Sequence, residues 1–528
     1  MRIGSCLLGL AAAGLLAFGA AAQPQDRPLR VVVNVGLQNL DPISSPSFVT
    51  RNFAYLVYDT LVAMDSKGEV RPQMLQGWQA SEDRLTWTFT LRPGLEFSDG
   101  APVTAEDAVA SLRRWGQRDA IGRRLMAATR ALTATAPNVF VLELAQPFGG
   151  VIDALGKPSV HVPFIMPARL AGTTGPTAQV PEVVGSGPFL FNRSEWIPGE
   201  RTPVRRNPRY RPRAEPADGL AGGKVVKLER AELVTLPDIA LRAAAITQGE
   251  VDYLEYAPID YLPRFRRDRN LVIANPGGIA HIVGGVSLNH HLPPFDNVLM
   301  RRAVQAAIDR AEVVAGHGLP EGMTDAACVS IYLCGTRYAS NAGAELVPGR
   351  NLERARALLR EAGYNNERIV LLQPADSALI NPMALVVIDQ LKRAGFNLDV
   401  QASDWSSIAQ RWVGREPIDR GGWNIVPVIY TGFDMADPLS NVAVGYNCTN
   451  NQPWGYCVEA MKPVLERFAA ESDPQKRREL AAELQRLSHD HATFPLSGQF
   501  QAPAVWRAEL RGVIDFGFPV LWNIGRSR

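Results

Sequence analysis

Leu75-Gln-Gly-Trp78, then Asp83-Arg-Leu-Thr-Trp-Thr-Phe-Thr-Leu-Arg-Pro-Gly-Leu-Glu-Phe-Ser-Asp-Gly100, then Thr104-Ala-Glu-Asp107, form the stretch that decides the fold class of this 528-residue chain. Leu85, Trp87, Phe89 and Leu91 alternate with Thr86, Thr88 and Thr90, the period of a strand with one buried face. Pro93-Gly94 turns the chain, and Ser98-Asp99-Gly100 supplies a second turn. Thr104 with Asp107 three residues on has the spacing of a helix N-cap, where side-chain oxygens meet backbone N–H groups that the first helical turn leaves unbonded. Strand, turns and helix in this order read as an α/β unit.

Outward from this string, the length exceeds what one hydrophobic core usually supports, so two or three lobes are expected. Charges balance, with 55 basic against 53 acidic residues, which argues against nucleic acid as a partner. No repeat, low-complexity tract or long linker interrupts the chain. A first strand is expected from Leu29 to Val35, nearly continuous in β-branched residues as in a sheet covered on both faces. Met300, Val304, Ala307 and Ile308 fall on one helical face while Arg301, Arg302, Asp309 and Arg310 take others. A further helix is expected from Asn351 to Ala362, capped by Asn351 and ended by Gly363 in the left-handed conformation. An apolar run Ile369 to Leu372, a helix around Leu385, Ile388 and Leu391 ended by Gly395, and alternating Phe396, Leu398 and Val400 then imply a right-handed parallel crossover. Open sheets of this kind place ligands outside the carboxyl ends of their strands, here the loops beginning near Gln373 and Gln401.

The wording of residues 75–112 closely resembles the extracellular solute-binding proteins of family 5, the peptide, opine and nickel binders that feed ABC importers, and the resemblance extends over most of the chain. Leu40-Asp41-Pro42 resembles the family's first cleft loop, which makes the adjacent Gln38 and Asn39 candidate ligand contacts. Gly185-Ser-Gly-Pro-Phe189 with Arg206-Asn-Pro-Arg-Tyr210, and Gly249-Glu-Val-Asp252, resemble the return to the first lobe. Leu288-Asn289 with Pro293-Pro-Phe-Asp296 resembles the entry into the second lobe, and Phe518-Pro-Val-Leu-Trp-Asn523 the final segment. The resemblance implies an α/β fold of the periplasmic binding protein type II kind, two lobes with an extra subdomain and a hinged cleft. Lobe I would comprise residues 23–58, 186–270 and 495–528, the extra subdomain 59–185, and lobe II 271–494. Crossings near 265–280 and 490–500 would form the hinge.

Catalytic patterns are sparse. The sequence carries no His-Glu-x-x-His and no Gly-x-Ser-x-Gly, and Gly222-Gly223-Lys224 lacks the glycine spacing and the following Ser or Thr of a phosphate loop. Seven histidines are scattered, and neighbouring side chains of an extended His290-His291 point to opposite faces, so no metal or cofactor is expected. Apolar walls with a few oriented polar groups suit a binding cleft, and Trp423-Asn-Ile-Val-Pro-Val-Ile-Tyr430-Thr-Gly-Phe-Asp434-Met-Ala-Asp437-Pro438 is the best candidate. Its spacing resembles the segment in which peptide-binding members hold the ligand's ammonium group on an aspartate, which implies Asp434 as anchor and Tyr430 as wall, with Thr431, Gly432 and Trp423 beside them. Turn-capping by Asp434 and core packing by Tyr430 are the alternative readings. Trp405 and Trp454 are further candidate walls. The loop Ala375-Asp-Ser-Ala-Leu-Ile-Asn-Pro382, where dipeptide binders of the family place a carboxylate-binding arginine, has none, so dipeptide specificity does not carry over. The reading is a monomeric, non-enzymatic receptor that encloses a small peptide or peptide-like solute, with a cationic one as the favoured variant, by hinge closure and delivers it to the permease subunits of an ABC importer. An exported hydrolase or processing enzyme on a similar scaffold and a chaperone-like binder of extended polypeptide are the competing classes.

Arg2, the apolar run from Leu7 to Phe18 and Ala20-Ala21-Ala22 ahead of Gln23 have the layout of a cleavable secretory signal, too short in its core for a resident span. Cys6 precedes the apolar run and Gln23 follows the expected cut, so no lipid-anchor cysteine stands at the cleavage point. In an oxidising compartment the other four cysteines read as local disulfides, Cys328 with Cys334 and Cys448 with Cys457, with a four-thiolate zinc site as the alternative. Terminal sequencing of the exported protein is expected to begin at about Gln23. Recovery of residues 1–22, or of an acylated cysteine, would refute the periplasmic assignment.

Overall fold

The computed structural model of the protein describes residues 27–274, 281–412, 414, 416–444 and 458–527. The leader, Trp454 and the Cys448–Cys457 pair lie outside the described residues. Three principal sheets organise the chain. The first has seven strands in the order Phe189–Phe191, Arg201–Arg206, Arg230–Val234, Leu29–Val32, Tyr253–Leu254, Val505–Arg507 and Leu271–Ile273. Leu29–Val32 runs parallel to both of its neighbours. It stops short of the expected Val35 because the backbone turns outward after Val33, and the Asn34 N–H goes to the Glu255 carboxylate at 2.7 Å.

The second sheet has six strands, in the order Thr324–Asp325, Leu496–Phe500, Ile282–Leu288, Ile425–Thr431, Ile369–Pro374 and Leu398–Ser403. The expected crossover is present: Ile369–Pro374 and Leu398–Ser403 are parallel, joined by the helix Asn381–Ala394, which ends at Gly395 with φ +105°. Asn351 caps the helix Leu352–Glu361 by accepting from the Arg354 N–H. On the helix Val298–Ala307 the apolar face is buried as the periodicity requires, but Arg301 is buried too. Its guanidinium donates to the backbone oxygens of Phe295, Asp296 and His491, which satisfies the charge without a carboxylate.

A four-stranded antiparallel sheet, Leu75–Ala80, Thr86–Leu91, Val139–Leu144 and Thr129–Ala136, forms the extra subdomain with the helix Ala105–Arg118. Trp87, Phe89 and Leu91 are its buried row, and Phe89 stacks on Phe140 with ring centroids 4.9 Å apart. The Asp107 carboxylate accepts from the Thr104 N–H at 2.7 Å, closing the helix start. Glycine in Gly185-Ser-Gly187 has a packing cause: the Gly187 N–H bonds the Val57 carbonyl, and a Cβ on Gly187 would stand 2.6 Å from the Val57 carbonyl carbon.

Two expected boundaries shift. Leu271–Ile273 pairs with Val505–Arg507 in the first sheet, and Leu496–Phe500 pairs with Ile282–Leu288 in the second. The chain therefore passes from sheet to sheet between Ile273 and Ile282, and between Phe500 and Val505, not at 270/271 and 494/495. Both strands are short and apolar, and nothing in their periodicity says which sheet will take them. Cys328 and Cys334 are joined by a disulfide. Among the described residues no helix is long and apolar enough to cross a membrane.

Buried charges fasten the ends of the chain to the first lobe. Asp252 pairs with Arg27 and with Arg526, drawing both termini of the described chain onto one carboxylate. Lys224, from the Gly-Gly-Lys that resembled a broken phosphate loop, is fully buried with its Nζ 2.7 Å from Asp59 Oδ1 and 4.9 Å from the Trp522 ring. Asp59 also accepts from Tyr210 Oη and the Thr60 N–H. Removing one member of such a pair strands the other charge in a low dielectric. Lys224→Met is expected to destabilise the protein by about 3–5 kcal/mol, read as an earlier first transition in urea unfolding. An unchanged transition would refute a structural role for the pair.

Candidate functional site

The helix Phe48–Val57 of the first lobe and the short turn Gly432–Met435 of the second meet at the site. The turn caps the carboxyl end of Ile425–Thr431, the strand that carries the sequence-selected segment. Thr431 Oγ1 donates to Asp434 Oδ2 at 2.6 Å, and the Gly432 N–H donates to the His281 carbonyl at 2.7 Å, so the turn is held from both sides. Phe433 then enters the aromatic wall of the first lobe, stacked on Phe516 at 5.3 Å and edge-on to Phe518 at 6.0 Å.

Arg51 faces this turn from a helix whose residues 49–57 are all buried. Phe48, Phe433 and Phe518 surround its guanidinium carbon at 5.0, 5.8 and 4.5 Å from their ring centroids. Its Nε and Nη2 donate to Asn52 Oδ1, and Nη1 donates to the Pro158 carbonyl. Asn52 Nδ2 in turn donates to Glu255 Oε1 at 3.0 Å. Burial pulls the Arg51 pKa down, with Asp434 the largest opposing charge. Burial pushes Glu255 up against the Asn34 N–H and Arg51, which favour its carboxylate.

A cavity of about 490 Å³ lies on the far side of Pro158 and Phe433, the two residues it shares with the surroundings of Arg51; neither Arg51 nor Asp434 lines it. Its walls are the extra subdomain on one side and the second lobe on the other, with Asp153 and Arg337 bonded across at 2.6 Å. Asp437 lies in the wall, its Oδ2 3.8 Å from Arg477, and burial pushes its pKa up. The same seam closes at Gly149, whose N–H donates to the Ala469 carbonyl at 2.8 Å. A Cβ on Gly149 would fall 1.5 Å from the Glu471 carbonyl oxygen.

Sequence-selected residues fall into three groups. Tyr430, Thr431, Gly432 and Asp434 come together at the turn, with the half-buried Tyr430 ring 5.7 Å from Phe494 and Asp434 nearly covered. Trp423, Gln38, Asn39 and Trp405 are placed elsewhere or spent on structure. Trp423 is fully buried in the core and forms no wall, since the strand enters the sheet interior immediately after it. Gln38 is exposed beside the turn at Gly199, and the Asn39 side chain is used locally, accepting from the Asp41 N–H and donating to Ser44 Oγ. Asp41 itself pairs with buried Arg114 at 2.7 Å. Trp405 packs on Trp412 at 6.1 Å. Trp454 lies outside the described residues. Residues missed from sequence are Arg51, Phe433, Phe518 and Glu255; the available signal was a lone cation within the apolar run Phe48-Val-Thr-Arg-Asn-Phe-Ala-Tyr-Leu-Val57.

Residues 69–453 match the family described as bacterial extracellular solute-binding proteins, family 5. The chain is 33% identical over 505 residues to a probable peptide ABC transporter periplasmic-binding protein, y4tO, of Sinorhizobium fredii, covering 94% of this chain and 93% of that one. Among solved structures it is similar to the binding protein AgaA of A. tumefaciens R10 in complex with agropinic acid, with TM-score 0.78, 20% identity, and 95% and 99% of the two chains covered. A dipeptide-binding protein of Pseudoalteromonas sp. SM9913 in complex with Met-Leu gives TM-score 0.79 at 17% identity, covering 95% and 100%. Two sheet-centred lobes meeting at a cavity lined by charged side chains, together with a family match over most of the sequence, lead to one conclusion: the chain belongs to the bacterial extracellular solute-binding proteins of family 5, the solute-capturing components of ABC importers.

Proposed function

We propose that this chain is a monomeric periplasmic receptor that captures a small peptide-like solute carrying a cationic nitrogen, holds that nitrogen on Asp434, and presents the closed complex to membrane permease subunits. Export would follow cleavage near Ala22, and the chain would perform no covalent chemistry. The observation that carries this reading is the position of Asp434: a carboxylate on a tightly held turn at the junction of two lobes, with one short hydrogen bond from Thr431 and no ion pair among the described residues. A partly desolvated carboxylate of this kind forms charge-assisted hydrogen bonds stronger than neutral ones. The relative y4tO is named for peptide transport, and AgaA and the Pseudoalteromonas protein are complexes with agropinic acid and Met-Leu, which supports an amino-acid-derived solute here.

Closure follows from the same geometry. A solute touching both walls gains most when the lobes are together, so binding shifts the population toward the closed form. Gly149 admits no side chain here, because the extra subdomain lies backbone to backbone against the second lobe, and closure would depend on that contact.

The test uses a panel of dipeptides, amino acids and N-carboxyalkyl amino acids, screened for the member that most raises the melting temperature. For that member Asp434→Asn is expected to weaken binding about 10- to 150-fold, measured by titration calorimetry, with the melting temperature of the empty protein nearly unchanged. Equal binding by the variant, or selection of a panel member whose N-acetyl form binds as well, would overturn the assignment of Asp434. Gly149→Ala is expected to leave the empty protein as stable as the parent while weakening the same ligand and blunting the ligand-induced fall in radius of gyration by X-ray scattering. A full contraction in the variant would place the closing contact elsewhere.

A further inference from the structure

The short helix Leu262–Phe265 and the turn after it concentrate positive charge that the molecule itself does not neutralise. Arg264, Arg266, Arg267 and Arg269 are all exposed. Leu262 and Phe265, three residues apart, are buried in the small core under the edge strand Leu271–Ile273, which leaves the arginines to project outward. None of the four guanidiniums has an ion pair or hydrogen bond among the described residues. Asp268, the one acid between Arg264 and Asn270, is half-buried and accepts from the Asn270 N–H at 2.9 Å.

A second arginine-rich run shows that this is not the habit of the chain. There Arg205 pairs with Glu195, Arg206 with Glu229, Arg209 with Glu96 and Arg213 with Glu215. Over the whole sequence the formal charge is only +2, so the surplus at residues 264–269 is local. Like charges crowded into one turn repel one another and add nothing favourable to folding. What the cluster lacks is an anion from outside the molecule.

Strand direction says where that anion would be met. Leu271–Ile273 and Tyr253–Leu254 both run antiparallel to Val505–Arg507, and Tyr253–Leu254 runs parallel to Leu29–Val32. The chain passes to the second lobe beyond the carboxyl end of Leu271–Ile273, whereas the arginines precede its amino end. The cluster therefore lies on the side of the first lobe turned away from the lobe junction, where a partner would leave the site at Asp434 uncovered. Residues 264–270 expose no aromatic or aliphatic anchor of the kind that centres a contact between proteins. Several unbonded cations on one turn, without such an anchor, match an anion that is repeated and fluid: the phosphate headgroups of an acidic bilayer.

We propose that Arg264, Arg266, Arg267 and Arg269 dock the protein on an anionic phospholipid bilayer, which holds the receptor at the membrane while its lobe junction stays open to solute. The proposal does not depend on the reading of Asp434.

The experiment floats the exported protein with vesicles of phosphatidylethanolamine, with and without phosphatidylglycerol, and measures the bound fraction. Binding is expected only with phosphatidylglycerol, and about 1 M salt, where the screening length is about 3 Å, is expected to release it. An arginine near an acidic surface contributes about 5-fold to partitioning, so each single change to Gln is expected to weaken binding by about that factor. Arg264→Gln, Arg266→Gln, Arg267→Gln and Arg269→Gln together are expected to weaken it about 100-fold or more, with melting temperature and solute affinity unchanged. A control with the same change of net charge replaces the exposed but scattered Arg84, Arg354, Arg360 and Arg420 by Gln, and is expected to bind like the parent. Equal binding by the fourfold variant, equal loss in the control, or equal binding to phosphatidylethanolamine alone overturns the proposal. Failure to bind any lipid vesicle overturns it too, and protease-sensitive binding to native inner-membrane vesicles would then assign the arginines to a membrane protein. If the fourfold variant fails to fold, the single variants and the salt dependence decide. Loss of flotation leaves solute binding to be read by itself, so failure here and failure of the solute site give different results.

Discussion

The insertion of the turn Gly432–Met435 into the first lobe is the contact on which the rest of the site depends. Phe433 packs on Phe516 and Phe518, rings contributed by the C-terminal segment, and this fixes where Asp434 stands relative to Arg51. Each partner is held from behind: the turn by Thr431 and the His281 carbonyl, Arg51 by Asn52 and through it Glu255. An arrangement of buried, partly paired charges is expensive in stability, and the burial of a large apolar core around it offsets that cost.

The discontinuous path of the chain is what makes a hinged device possible. The first sheet takes strands from both sides of the second lobe, Leu271–Ile273 before it and Val505–Arg507 after it, and the two lie next to each other. Two neighbouring connections constrain a rotation axis while leaving the remaining interface free to open. That interface combines the apolar packing of Phe433 on Phe516 and Phe518 with polar and backbone contacts, Arg337–Asp153 and Gly149 with Ala469. The polar contacts exchange readily for water, which suits an interface that opens to release its solute.

Much of the fold was legible locally. The alternation from Leu85 to Leu91, the Thr104 and Asn351 caps, the Gly363 and Gly395 stops and the crossover from Ile369 to Val400 all depend on side-chain period and on which residues tolerate a left-handed backbone. Within the candidate site, the residues from Tyr430 to Asp434 lie together in space because they are adjacent in sequence on one strand end and its turn. Trp423 stands close to the same segment in sequence yet is fully buried in the core, since adjacency in sequence says nothing about the point where the strand enters the core.

The sequence by itself determined the α/β class, the local elements and the family, since these are carried by periodicity, turn chemistry and the wording of residues 75–112. Only the tertiary structure decided that Arg51, Phe433 and Phe518, which come from three remote parts of the chain, share one site. It also assigned Leu271–Ile273 and Leu496–Phe500 to their sheets and turned Lys224 from a broken phosphate-loop residue into half of a buried ion pair. The physical reason is common to all of these. Burial, charge pairing and strand partners are set by neighbours in space, and a chain that crosses twice between lobes brings together residues whose separation in sequence carries no sign of their contact.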